Sequence, residues 1–202
     1  MIARYAGGAL GARNAARAGS PFVVVDAFRA STTISVLISK GAEVLPVASI
    51  EEARAAEADF RIGERGSVKV TGFDFGNSPT EVRAATITPG STVALSTTNG
   101  TRIVEAAAGA PSIITGAFVN AEAVAEKLTT GDQGVEVVVV GCGWEGRRAS
   151  EDEAAAGAIL HRLQTKGAKL DERDRRAVAL YLNRPRSALR NNSAARRLVR
   201  VG

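Results

Sequence analysis

Short runs of β-branched and aliphatic residues recur along this chain. Each leads into a polar or Gly-rich loop and then a helix-forming stretch with its own start signal. Phe22-Val23-Val24-Val25 is apolar throughout, and a strand without polar alternation is covered on both faces. Val44–Val47, Thr92–Ser96, Ser112–Thr115 and Val135–Val140 follow the same pattern. Ile34–Lys40 reads as a helix closed by Gly41 at C′. Ser49 with Glu52, Ser78 with Glu81 and Ser150 with Glu153 have capping-box spacing, and Pro79 takes the favoured first helical position. The last of these opens a helix over Ala154–Lys166 that stops at Gly167. Strands alternating with helices predict an α/β fold, a mostly parallel sheet flanked by helices in three layers. Residues 60–76 fit that scheme least. Four glycines and a short Val/Phe alternation read there as a hairpin, or as a small second lobe around residues 60–80.

The 202 residues suit one domain over 1–202, with a core of about 22–167. The formal net charge of +5 invites a nucleic-acid reading, which the distribution of charge answers. Residues 168–202 hold 10 Lys/Arg against 3 Asp/Glu, so the basicity belongs to the C-terminal segment and the body is mildly acidic. Within that segment Asp171–Asn183 reads as an amphipathic helix, and Arg186–Gly202 as a docked helix or a mobile tail. Aromatic content of 4% leaves no interleaved stacking residues, so no nucleic-acid partner is expected. No apolar run approaches the roughly 20 residues of a membrane span, and the N-terminal stretch is too weakly apolar for a signal peptide. One Cys and one His cannot build a structural zinc site, and a cytoplasmic setting is the expectation. A homo-oligomer is compatible with the sequence.

Open α/β sheets bind ligands beyond the carboxyl ends of their strands. After Val25 stands Asp26-Ala27-Phe28-Arg29-Ala30-Ser31-Thr32-Thr33. Asp26 can hold Mg²⁺ or act as a nucleophile, and Arg29 is a fork suited to phosphate or sulfonate. Ser31, Thr32 and Thr33 open the next helix, where hydroxyls and N–H groups can bind an anion or simply cap the helix. Glu64 and Arg65 lie between glycines, and Asp74, Asn77 and Ser78 follow in a second Gly-rich segment. Ser78 reads as a cap. Thr98, Asn99, Gly100, Thr101 and Arg102 offer hydroxyls, N–H groups and a guanidinium without any Walker pattern. Asn120 reads most simply as an N-cap. Glu151 and Asp152 divide between a site role and the first-turn position that compensates a helix dipole, whereas Glu153 reads as a cap. Cys142 and Arg148 have the Cys-x5-Arg spacing of a phosphatase loop, but Trp144 and Glu145 between them do not resemble a phosphate cradle. Cys142 is therefore read as an inert buried thiol, and His161 as a surface or packing residue.

Taken in order, DAFRASTT (Asp26–Thr33), GERG (Gly63–Gly66), GFDFGNSPTE (Gly72–Glu81), TTNGTR (Thr97–Arg102), Asn120-Ala121 and SED (Ser150–Asp152) resemble the 2-phosphosulfolactate phosphatase family, often called ComB. The match covers about residues 22–160. It departs from the family at the Ala/Gly/Arg-rich stretch before Pro21, which is short of a hydrophobic first strand, and at Gly202, where the family usually continues. The resemblance implies a Mg²⁺-dependent acid phosphatase of α/β fold, whose namesake reaction removes phosphate from 2-phospho-3-sulfolactate in coenzyme M biosynthesis.

On that basis Asp26, Glu64 and Asp152 are the expected Mg²⁺ ligands. Asp26, Arg29, Glu64 and Arg65 are the expected catalytic group. Ser31, Thr32, Thr33, Asn77, Thr98, Asn99, Gly100, Thr101, Arg102 and Asn120 are the expected contacts to a small anionic phosphate or sulfonate. Position 28 is Phe, so the Asp-x-Asp of haloacid-dehalogenase phosphatases is missing, and a metal-activated water is preferred to a phospho-Asp26. The alternatives are a phosphatase for another 2-phospho acid, or an anion-binding protein without turnover.

Overall fold

The computed structural model describes residues 1–97, 100–130, 136–184 and 186–201, with backbone alone at 100, 101, 186 and 201. Two four-stranded sheets carry the fold. The first is parallel, in the order β1 (Ile2–Gly7), β8 (Glu136–Gly141), β2 (Phe22–Val25), β7 (Ile113–Gly116). The second runs β3 (Glu43–Pro46), β6 (Thr92–Ser96), β4 (Phe60–Arg65), β5 (Val68–Lys69), parallel except for the β4–β5 hairpin.

All four residues of β2 are buried, as an unalternating Val run requires. Val23 and Val25 pack with α6 (Ala121–Thr129), α7 (Ser150–Thr165) and α8 (Glu172–Asn183). Phe22 and Val24 pack on the other face with α1 (Gly8–Arg17) and α5 (Gly100–Ala106). Opposite faces for alternate residues give the three layers. Around the second sheet, α2 (Ala30–Ser39) and α4 (Pro79–Ala84) share one core with β4 and β6, while α3 (Ile50–Ala55) packs on the far side with Phe73 and Ala94. The backbones of α7 and α8 nearly touch, since a Cβ on Gly157 would stand 2.0 Å from the Ala177 carbonyl oxygen. No helix among the described residues is long and apolar enough to cross a membrane.

Several expectations needed correction. The second lobe is a whole sheet spanning Glu43 to Ser96, because β3 and β6 pair there with β4 and not with β2. A strand lies before Pro21: β1 is an edge strand whose ladder with β8 needs no apolar run, and of its residues only Ala3 is buried. The helix expected at Ile34 starts at Ala30. Ser49 and Ser78 do cap their helices, accepting the Glu52 and Glu81 N–H groups. Ser150 does not: the helix begins on it, with Ala149 as the N-cap residue, and Glu153 pairs with Arg148. Gly41 and Gly167, with φ of +80° and +94°, close α2 and α7 as expected. The basic C-terminal stretch is helical and docked, as α8, α9 (Arg186–Arg190) and α10 (Ser193–Val201).

Candidate active site

Asp26 is the residue that follows β2, at the carboxyl edge of the first sheet. Its backbone N–H donates to Ser31 Oγ at 3.0 Å, and its Oδ1 accepts the Ala30 N–H at 3.3 Å. The carboxylate thus sits against the first turn of α2, whose dipole favours negative charge. It is only 8% exposed. Burial pushes its pKa up to about 6; the Ala30 N–H opposes this, while the charges of Glu64 and Glu151 add to it. The peptide bond from Phe28 to Arg29 is cis.

The second sheet supplies the facing groups. Glu64 lies on β4 just before the hairpin turn, where its Oε2 accepts the Ser67 N–H at 2.7 Å. Asn77 is buried in the loop before α4, and its Oδ1 has no hydrogen-bond partner among the described residues. Asp26, Arg29, Glu64 and Asn77 line one cavity of about 50 Å³, joined by Ser67, Trp144, Glu145 and Arg197. Burial draws the Arg29 guanidinium below its ordinary pKa, with Glu64 and Asp26 opposing. Four residues from three separate sequence motifs therefore meet across the two sheets.

Other expected residues lie elsewhere. Asp152, in the first turn of α7, accepts the Ala27 N–H on Oδ1 and the Gly143 N–H on Oδ2, both at 2.9 Å. It holds together the loops after β2 and β8, lines a different cavity of about 330 Å³, and is absent from the lining of the Asp26–Glu64 cavity. Burial, then the Asp26 charge, raises its pKa well above the usual carboxylate range. Among the described residues no three His, Cys, Asp or Glu side chains are placed to hold one metal ion. The oxygen-bearing side chains that line one cavity are Asp26, Glu64 and Asn77, with Ser67 and Glu145 beside them.

The helix-opening hydroxyls turn onto the protein itself. Ser31 Oγ is within 3.4 Å of the Val24 carbonyl, Thr32 donates to the Ala27 carbonyl at 2.8 Å, and the buried Thr33 hydroxyl has no partner among the described residues. Arg65 reaches the Glu64 carbonyl and Ser96 Oγ. Asn120 braces its turn between the Ala117 N–H and the Thr115 carbonyl. Arg102 is exposed on α5. Thr98 and Asn99 lie outside the described residues, and Gly100 and Thr101 are described by their backbone alone. The Cys142 thiol is buried and its pKa is pushed well up, so it is a poor nucleophile. His161 packs beside Tyr181.

Ser67, Trp144, Glu145 and Arg197 escaped sequence reasoning as site residues. Ser67 sits in the hairpin turn with φ +72°, and the chain's single tryptophan, Trp144, lies under the guanidinium of Arg197 from α10. The GERG glycines signalled the turn, but no local pattern brings residue 197 to it.

Comparison with known proteins points to one family. The model of the 2-phosphosulpholactate phosphatase family matches residues 12–202. A probable 2-phosphosulfolactate phosphatase of Parasynechococcus marenigrum (strain WH8102) is 39% identical over 193 residues, 89% of this chain and 79% of that protein. One from Synechococcus sp. (strain JA-3-3Ab) is 43% identical over 167 residues, covering 79% and 68%. Another, from Carboxydothermus hydrogenoformans, is 37% identical over 188 residues, covering 89% and 76%.

Proposed function

The chain belongs to the 2-phosphosulpholactate phosphatase family, and from that membership we propose that it hydrolyses the phosphate monoester of 2-phosphosulfolactate, using Mg²⁺ held between its two sheets. The observation that carries the reading is the buried Asn77 Oδ1, without a hydrogen-bond partner among the described residues, lining one cavity with the Asp26 and Glu64 carboxylates. A hard cation that prefers oxygen ligands suits that donor set, and Mg²⁺ commonly completes its shell with water and substrate phosphate. Asp26 and Glu64 would hold the ion, with Asn77 as a neutral third donor. Asp152, with both oxygens already accepting backbone N–H groups, supports the loops around it. Bound there, Mg²⁺ would supply Lewis-acid stabilisation of the phosphoryl oxygens and a more acidic water.

This chain's own residues do the rest. Arg29 faces the cavity with a guanidinium that can neutralise the transferring phosphoryl group. The Asp26 carboxylate, on the cavity wall, can orient an attacking water. The namesake place in coenzyme M biosynthesis and a cytoplasmic setting belong to the same proposal. The test is phosphate release from 2-phosphosulfolactate with added Mg²⁺, compared with excess EDTA and with Asp26→Asn. The expected result is turnover that EDTA stops, that Mg²⁺ restores, and that the substitution abolishes. Full turnover in EDTA would overturn the metal. Saturable binding of phosphate or sulfonate without turnover would leave an anion-binding protein.

A further inference from the structure

The substrate class proposed above carries two kinds of anion, the phosphate that leaves and a sulfonate and carboxylate that remain. Arg29 and Arg197 both line the site cavity. Among the described residues neither forms an ion pair with a carboxylate. They converge instead on one residue. Arg29 Nη2 donates to the Ser67 carbonyl at 3.3 Å, and Arg197 Nε donates to Ser67 Oγ at 3.2 Å. Their like charges oppose each other, since Arg197 contributes to lowering the Arg29 pKa. Glu64, Asp26 and Glu81 offset part of the Arg29 charge from a distance, yet among the described residues the direct hydrogen bonds of both guanidinia go to the neutral Ser67, which leaves the pair able to take an anion. Arg197 is also positioned by its stack on Trp144, 4.2 Å from the ring centroid, and its helix follows Asn192, which donates to the buried Glu151 at 2.9 Å.

We infer that Arg197 binds the non-reacting anionic group of the substrate, sulfonate or carboxylate, and so sets the enzyme's preference for phosphate esters that bear a second acid. This rests on the phosphatase reading, and it adds a residue that no motif of the sequence marked. Arg29 takes the phosphoryl end and Arg197 the other, with the Ser67 turn fixing the distance between them.

The experiment pairs kinetics with a direct binding signal. Arg197→Gln raises KM for 2-phosphosulfolactate about 10- to 100-fold, the loss expected for a charge-assisted hydrogen bond, while kcat falls far less. Arg197→Lys, which keeps the charge and loses the fork, falls between. Sulfoacetate, which carries sulfonate and carboxylate but no phosphate, changes the fluorescence of Trp144 saturably in the native protein, and its dissociation constant weakens by a similar factor in Arg197→Gln. Unchanged KM together with unchanged sulfoacetate binding in Arg197→Gln overturns the assignment. If the native protein turns over no phosphate ester, the phosphatase reading fails by itself, and the sulfoacetate titration still decides whether Arg197 is an anion receptor.

Discussion

Replacing Asp26 by Asn removes a charge that folding forces into a dry place. In the folded chain its pKa rises from an ordinary 3.8 to about 6, chiefly through burial. Between those values the native state binds a proton that the unfolded chain has released. Stability therefore falls as pH rises through that window, and the full penalty is present above about pH 6. At about 1.4 kcal/mol per pH unit of displacement, the native chain gives up about 3 kcal/mol at pH 8. Asn keeps an oxygen for the Ala30 N–H and has no charge to desolvate. The substitution, expected to abolish turnover, should therefore stabilise the metal-free protein. For a chain of this size about 3 kcal/mol corresponds to about 6–12 °C in Tm. Thermal melts in EDTA from pH 4.5 to 8 test this. The two proteins converge at the acid end and separate toward pH 8, with the Asn variant higher. Parallel curves across that range, or a less stable variant at pH 8, would refute the burial argument.

Three further outcomes follow from packing and hydrogen bonding. Asp152→Ala strips the acceptor from the Ala27 and Gly143 N–H groups. In urea unfolding near pH 4, where no buried charge is relieved, it should cost about 2–5 kcal/mol, and it should lower turnover through loss of loop position. Gly157→Ala drives a Cβ into the Ala177 carbonyl. It should destabilise by about 3 kcal/mol or more, read as a lower urea midpoint, because two backbones and not a flexible side chain must move. Cys142, buried with its thiol pKa raised, should stay unreactive to an aromatic disulfide reagent in the native protein and react promptly once unfolded.

How far the sequence reached depends on the range of the interactions that decided each feature. β2 and the start of its loop were legible because an unbroken Val run and a strand-end Asp are local signals. The caps at Ser49 and Ser78 were legible for the same reason, since their partners lie three residues away. Ser150 has the identical spacing and fails. Asn192 and Arg148 draw Glu151 and Glu153 elsewhere, and the nearby Asp152 bonds across to other loops. The division into two sheets was hidden, because the parallel strand partners are chosen by pairing across 33 residues or more and not by pattern. Asp26, Arg29, Glu64 and Asn77 were each marked by type and context, but their meeting in one cavity is a property of the crossing from one sheet to the other. Arg197 stood in a basic stretch whose charge pointed nowhere in particular; only the docking of α10 gives it an address.

The two sheets exchange no ladder hydrogen bonds among the described residues. What joins them across the site is helix α2, which packs on both, and the groups around Asp26 and Glu64. A ligand gripped from both sides is then a mechanical cross-link as well as a reactant. Its binding energy stiffens the joint in proportion to its occupancy. Hydrogen exchange along α2 should slow when the site is filled, so that the helix serves as a strain gauge for the cleft beside it.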